Sequence, residues 1–200
     1  MDVGISADLY KSVIEHNRMP GAVKINALGA VAQWAHETGH FRSRPMVAAW
    51  NLAGIKATQG WVSRGGGTFG AMTCEFVQGE SRRMLGAFRS YPSLSAFLED
   101  YAGIIARCYP LAGKSVDCVW LFFAGLVHGI ARSDGSRYCW ATDPGYFAAL
   151  CRMAVTYAPI LCGPEWKGIL RESLSAAVQR GFPYGWMLGV ASGILDNARE

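Results

Sequence analysis

Apolar residues recur every three to four positions along most of this chain, and the stretches that lack that period are few. Over residues about 20 to 38, Ile25, Leu28, Val31, Ala32 and Ala35 form a stripe at helical spacing, which predicts an amphipathic helix. Residues 41 to 67 carry no period and read as loop, ending in the flexible connection Arg64-Gly65-Gly66-Gly67. No Gly-Lys-Ser/Thr follows, so the glycines do not form a phosphate loop. Residues 68–77 and 81–90 flank Gln78-Gly79 and place Thr, Phe and Val between them, the pattern of a β-hairpin. From there the pattern is helical. Ser93 can cap a helix carrying Phe97, Tyr101, Ile104, Ile105 and Cys108. Residues 115–131 read as a buried core helix, and Asp143-Pro144 as the start of a helix from Tyr146 to Tyr157. Gly163-Pro164 opens another that Gly181 stops, and a last helix covers about 184–198. This pattern assigns no element to the residues before 20. The fold class it predicts is α+β, mostly helical, with one small hairpin lobe.

Composition narrows the class. A chain of 200 residues, 51% hydrophobic and 17% charged, makes one domain with a core of its own and needs no disulfide or metal to hold it. The net charge of +4 suits an anionic partner, whether nucleic acid, lipid or wall polymer, without choosing among them. The basic residues are scattered, so no nucleic-acid arm is expected. Met1-Asp2-Val3-Gly4 begins no basic and apolar leader, so no signal peptide is expected. The longest apolar runs, Val116–Ile130 and Phe182–Leu195, are too short for a membrane span. In the second, Gly185, Gly189 and Gly193 suggest a helix packed closely on its own domain. The cysteines at 74, 108, 118, 139, 151 and 162 form no CxxC pair and read as small core residues.

His36-Glu37-Thr38-Gly39-His40 matches the zinc motif H-E-x-x-H, in which two histidines one helical turn apart bind the metal and the Glu acts as base. A catalytic zinc needs a third ligand, and only His16 and His128 remain; Pro45 also cuts the helix soon after His40. A longer pattern competes with it. Ala32-Gln33-Trp34-Ala35-His36-Glu37-Thr38-Gly39 is followed by Trp50-Asn51-Leu52-Ala53-Gly54-Ile55-Lys56, then Ala87-Phe88-Arg89-Ser90-Tyr91-Pro92-Ser93, then Trp140-Ala141-Thr142-Asp143-Pro144-Gly145-Tyr146. These four blocks, in this order over residues about 20 to 160, resemble the peptidoglycan N-acetylglucosaminidases of glycoside hydrolase family 73, which include the flagellar-rod muralytic enzyme and many autolysins. The resemblance implies a lysozyme-like domain over 1–163, with 164–200 as a helical extension packed on it. The chain departs from the family at Trp50, at Ala53, and at Trp140, where the family has Tyr. Any role of that phenol passes to Tyr138 or Tyr146.

Glycoside cleavage needs a proton donor at the leaving oxygen. Glu37 suits it: the apolar neighbours Trp34 and Phe41 and the helix C-terminus all disfavour its charge. The resemblance implies a second carboxylate on the hairpin, which we assign to Glu75, with Glu80 as the competitor. It would activate water for inversion or orient the substrate's own acetamido group. Trp50, Asn51, Tyr138, Trp140 and Tyr146 are the expected substrate-binding residues, since sugars present apolar faces edged by hydroxyls. Thr142 and Asp143 serve local structure. No metal and no organic cofactor is implied.

The expected reaction is hydrolysis of the β-1,4 bond between N-acetylglucosamine and N-acetylmuramic acid. The alternatives are a muramidase or lytic transglycosylase on the same polymer, a zinc metalloprotease through His36 and His40, and a non-catalytic wall-binding module. A wall substrate without a signal peptide suggests delivery by a type VI secretion apparatus or a phage cassette, hence an antibacterial toxin. The expected partners are peptidoglycan glycan strands and an immunity protein that plugs the cleft, with no nucleic acid and no membrane span.

Overall fold

The computed structural model describes residues 3–77 and 80–198, and the side chains of 4–73 and 83–198. Helix α1 (Val3–Arg18), which the hydrophobic pattern did not reveal, turns Ser6, Leu9, Val13 and His16 inward at helical spacing. Two of those four inward positions are polar, so the stripe reads poorly in the sequence. After α1 the chain is extended rather than helical. The Asn17 side chain clamps Ile25, donating to its carbonyl at 2.8 Å and accepting from its N–H at 3.0 Å. Asn26 then caps α2 (Ala27–Glu37), its Oδ1 accepting from Gly29 N at 2.7 Å. The helix expected from about 20 therefore begins at 27. It is buried on every side from Ala27 to Ala35, and a Cβ on Gly29 would stand 2.5 Å from the Phe122 ring.

The segment expected to be loop holds two short helices, α3 (Arg44–Ala48) and α4 (Gln59–Ser63). The glycines after it form a tight wrap, not a flexible link: a Cβ on Gly66 would meet the Trp61 indole, whose Nε1 donates to Gly67 O at 2.8 Å. Strands β1 (Gly67–Val77) and β2 (Glu80–Ser90) pair antiparallel from Gly67↔Ser90 to Val77↔Glu80, the register a two-residue Gln78-Gly79 turn requires; the turn lies outside the described residues. Residues 49–57 run beside the base of the hairpin. Tyr91 N donates to Ala49 O, Arg89 N to Ile55 O, and Ala57 N to Ala87 O, at 2.9 to 3.0 Å.

Helices α5 (Leu94–Cys108, capped by Ser93), α6 (Pro110–Gly113) and α7 (Val119–His128) follow. The predicted core helix 115–131 is thus shorter at both ends. Gly129, at φ 58°, ends it by leaving the helical region, and glycine is required there because any Cβ would strike the Tyr138 carbonyl at 1.9 Å. A second small hairpin follows, β3 (Ile130–Ala131) with β4 (Arg137–Tyr138). Asp143 does not cap the next helix; its Oδ1 accepts from Gly145 N at 2.7 Å, and α8 (Tyr146–Cys162) starts three residues after it. It continues past the expected end at Tyr157, with Pro159 in its last turns.

Helices α9 (Trp166–Arg180) and α10 (Trp186–Asp196) share the core of the preceding residues. Trp120 Nε1 donates to Leu170 O at 2.9 Å, and Met187, Ala191 and Leu195 are buried. The glycine stripe of α10 was expected to make the close contact and does not: no atom lies within 4 Å of a Cβ placed on Gly185, Gly189 or Gly193. Cys108, Cys118, Cys139, Cys151 and Cys162 are free thiols, and the Cys74 side chain lies outside the described residues. Among the described residues no helix is long and apolar enough to cross a membrane.

Candidate active site

Glu37 is the last residue of α2, at the end of its most apolar stretch. One edge of the side chain reaches solvent, but the carboxyl group is packed in, and that burial pushes its pKa up from the ordinary carboxyl value. Two hydrogen bonds oppose the rise, from the Tyr146 hydroxyl at 2.6 Å to Oε1 and from the Trp140 side chain. Behind them the Tyr101 hydroxyl donates to Gln33 Oε1 at 2.6 Å, and Gln33 Nε2 donates to the Tyr146 oxygen at 3.1 Å. Gln33, Tyr101 and Tyr146 are all buried. The other carboxyl oxygen, Oε2, faces Gly54; a Cβ placed there would be 3.5 Å from it. Gly54 has φ 63°, a conformation that favours glycine.

Gly54 and Trp140 also line a cavity of about 360 Å³, with Lys56, Arg89, Tyr109 and Tyr138 among its other walls. Tyr109 packs on both Trp140 and Tyr138, at centroid distances of 5.2 and 5.9 Å. This aromatic wall with cations opposite it meets Glu37 at Gly54 and Trp140. No Asp or Glu among the described residues lines the cavity itself, Glu37 included.

The zinc geometry does not form. The helix ends at Glu37, and Gly39, His40 and Phe41 are successively left-handed, at φ 58°, 59° and 62°. His40 therefore leaves the helical face it would need. Its Nδ1 is 3.0 Å from the Tyr157 hydroxyl, and its ring stacks on that phenol. The His36 ring lies edge-on to Tyr146. Among the described residues no three His, Cys, Asp or Glu side chains gather where they could hold a metal ion.

Of the residues expected at the site, Glu37, Trp140 and Tyr146 come together, and Tyr138, 43% exposed, lines the cavity beside them. Two expected substrate-binding residues take other places. Tyr146 is buried behind Glu37 and offers a hydroxyl to it rather than a face to a sugar. Asn51 is fully buried, and its amide is spent on backbone: Nδ2 donates to Ile55 O and Arg89 O, and Oδ1 accepts from Ile55 N, all within 2.9 Å. It shapes the turn that presents Gly54. Trp50 is 36% exposed, left-handed at φ 51°, and not among the walls of this cavity. Glu75 pairs with Arg82 near the hairpin tip, eight residues beyond Gly67 and roughly 27 Å along an extended strand; the side chains of Glu75 and Glu80 lie outside the described residues.

Three residues at the site were missed. Gln33 stands four residues before Glu37, so helical spacing places both on one face. Gly54 stands within one of the quoted blocks. Tyr101 reads as one more apolar position of α5, and nothing local marks its hydroxyl.

Known proteins share the fold and the family. The family model described as mannosyl-glycoprotein endo-beta-N-acetylglucosaminidase, the glucosaminidase family, matches residues 17–158. A peptidoglycan hydrolase mutant from Sphingomonas sp. A1 superposes with a TM-score of 0.55 at 25% identity, over 85% of this chain and 97% of its own. The catalytic domain of the autolysin Auto from Listeria monocytogenes shares the fold, with a TM-score of 0.52 at 20% identity over 84% of this chain and 82% of its own. No curated protein matches the chain. Since the family match spans well over half of the sequence and the lysozyme-like fold agrees with it, this chain belongs to the glucosaminidase family, glycoside hydrolase family 73, and is an N-acetylglucosaminidase by that membership.

Proposed function

We propose that the protein is an endo-β-N-acetylglucosaminidase of peptidoglycan, cleaving the β-1,4 bond on the reducing side of N-acetylglucosamine, with Glu37 as general acid. The observation that carries this reading is the environment of Glu37. It is a carboxyl group with its pKa raised by burial, one oxygen tied to Tyr146 and the other facing Gly54 beside an aromatic cavity. A general acid must hold its proton near the working pH and deliver it to the leaving oxygen. Oε2 gives its proton to the glycosidic oxygen as the C1–O bond breaks. Trp140 and Tyr138 offer apolar faces to sugar rings. Lys56 and Arg107 line the same cavity and suit the carboxylates of the peptide stems.

The developing positive charge at C1 is met in one of two ways. Either water attacks with Glu75 as base, which requires the hairpin to bend over the cleft, or the substrate's acetamido oxygen attacks and Glu37 later activates water. The anomeric configuration of the newly released reducing end separates them: inversion is expected in the first and retention in the second.

The deciding experiment digests purified peptidoglycan with wild type and with Glu37→Gln and identifies the new ends by mass spectrometry. Reducing N-acetylglucosamine ends, absent with the variant, are expected. Reducing N-acetylmuramic acid or 1,6-anhydro ends would overturn the bond assignment. We also propose that the activity serves as a delivered antibacterial toxin at the cell wall, held off in the producer by an immunity protein that fills the cleft. Export of the chain to the periplasm of a susceptible cell should lyse it, and export of Glu37→Gln should not.

A further inference from the structure

Tyr101 makes no hydrogen bond to Glu37 and does not line the cavity, yet beside the bond from Trp140 it begins a chain of hydrogen bonds that ends on the acid. Its ring packs against those of Trp34, Phe97 and Trp140, at centroid distances of 5.3, 5.6 and 5.9 Å, and the residue is fully buried. Rings offer that O–H no good acceptor, so it donates to Gln33 Oε1. This choice sets the orientation of the amide. With Oε1 turned to Tyr101, Nε2 must face Tyr146, and it donates to the phenol oxygen. The Tyr146 proton is then left pointing at Glu37 Oε1. Each link forces the next.

We propose that Tyr101 and Gln33 are positioning residues that fix the direction of this buried chain, so that Oε1 of Glu37 always accepts and the transferable proton rests on Oε2, toward Gly54 and the cavity. The inference rests on the reading of Glu37 as the acid. If the amide turned over, Tyr146 would donate to Gln33 instead. Glu37 could then place its proton on Oε1, where Tyr146 would accept it and no substrate oxygen could reach it.

The surroundings keep the device insulated. Among the described residues, the titratable groups facing the carboxyl group are the phenols of Tyr101 and Tyr146, both pushed well above their ordinary pKa by burial and so neutral throughout. His36 precedes Glu37 on α2, and burial lowers its pKa. From the segments across the cavity come Lys56, Arg89 and Arg107, with Arg89 held by Asp100 at 2.6 Å.

The experiment measures the Glu37 carboxyl titration by NMR with carboxyl-labelled glutamate in wild type, Tyr101→Phe and Gln33→Met, alongside kcat and KM on peptidoglycan. Tyr101→Phe removes one oxygen from a packed ring, and Gln33→Met keeps the length of the side chain. Tyr101→Phe frees the amide to turn over and draw the Tyr146 proton away, so it should raise the Glu37 pKa and lower kcat several-fold at unchanged KM, whereas Gln33→Met leaves Tyr146 no acceptor but Glu37 and should leave the titration in place. An unchanged titration in folded Tyr101→Phe, or a rise in Gln33→Met as large as in Tyr101→Phe, would overturn the proposal, since loosened packing alone leaves the donor to Oε1 in place. The titration does not depend on catalysis. If Glu37→Gln keeps full activity, the acid assignment fails while the hydrogen-bond chain is still judged by NMR.

Discussion

The Tyr146 hydroxyl donates a 2.6 Å hydrogen bond to Oε1 of Glu37 across 109 residues of sequence, joining the first turn of α8 to the last turn of α2. Tyr146→Phe leaves Gln33 Nε2 and Glu37 Oε1 without that partner. Each buried group left unpaired costs about 1–3 kcal/mol, so the melting temperature should fall measurably. The same loss raises the Glu37 pKa further, and the alkaline limb of the kcat profile should move to higher pH. A limb that stays in place while activity drops would show that Tyr146 acts only as packing.

Glu37 itself should make the protein sensitive to alkali. Its folded pKa is raised, so the native state holds the proton more tightly than the unfolded chain, whose carboxyl titrates near ~4.3. The resulting stability is fully present below the unfolded pKa and is lost as pH rises through the folded one. Glu37→Gln has no such titration. The melting-temperature advantage of the variant over wild type should therefore grow with pH across this window and then level off.

Gly54→Ala tests the approach to Oε2. Left-handed backbone costs a residue with Cβ roughly 1–2 kcal/mol, and the new methyl would lie 3.5 Å from Glu37 Oε2 and 3.9 Å from Met46 Cε. The fold has room for it, but the substrate oxygen would lose its approach. Folded protein with strongly reduced cleavage is expected, with Gly54→Val worse than Ala.

Asn51→Ala should report on stability. Its three hydrogen bonds hold the turn at 51–55 to itself and to β2. Truncation unpairs buried backbone groups and should cost on the order of 3 kcal/mol of unfolding free energy. If KM for peptidoglycan rises sharply without a drop in melting temperature, Asn51 touches substrate after all.

Chelator treatment should leave cleavage unchanged, because the left-handed turn at Gly39–Phe41 takes His40 away from His36 and onto Tyr157. Activity that vanishes with chelator and returns with zinc would reinstate the metal reading.

Local patterns in the sequence determined much of this protein. A periodic stripe located α5, the Gly163-Pro164 start and Gly181 stop located α9, the two flanking runs specified the long hairpin, and Glu37 after Trp34 on an apolar helix already implied a carboxyl group with its charge disfavoured. These signals survive because they depend on neighbours within one or two turns. Where polar groups carry the outcome, sequence showed only their capacity to bond, and the partner came from elsewhere in the chain. Asn51 looked like a ligand for sugar until Arg89 O, 38 residues on, took its amide. Tyr146 looked like a platform until α8 turned its hydroxyl onto α2, and Tyr101 looked like plain core until Gln33 met it. The start of α2 depended in the same way on the clamp of Asn17 on Ile25. A hydroxyl or amide accepts whichever complement the packing brings within about 3 Å, and packing of distant helices is a property of the whole core rather than of any segment.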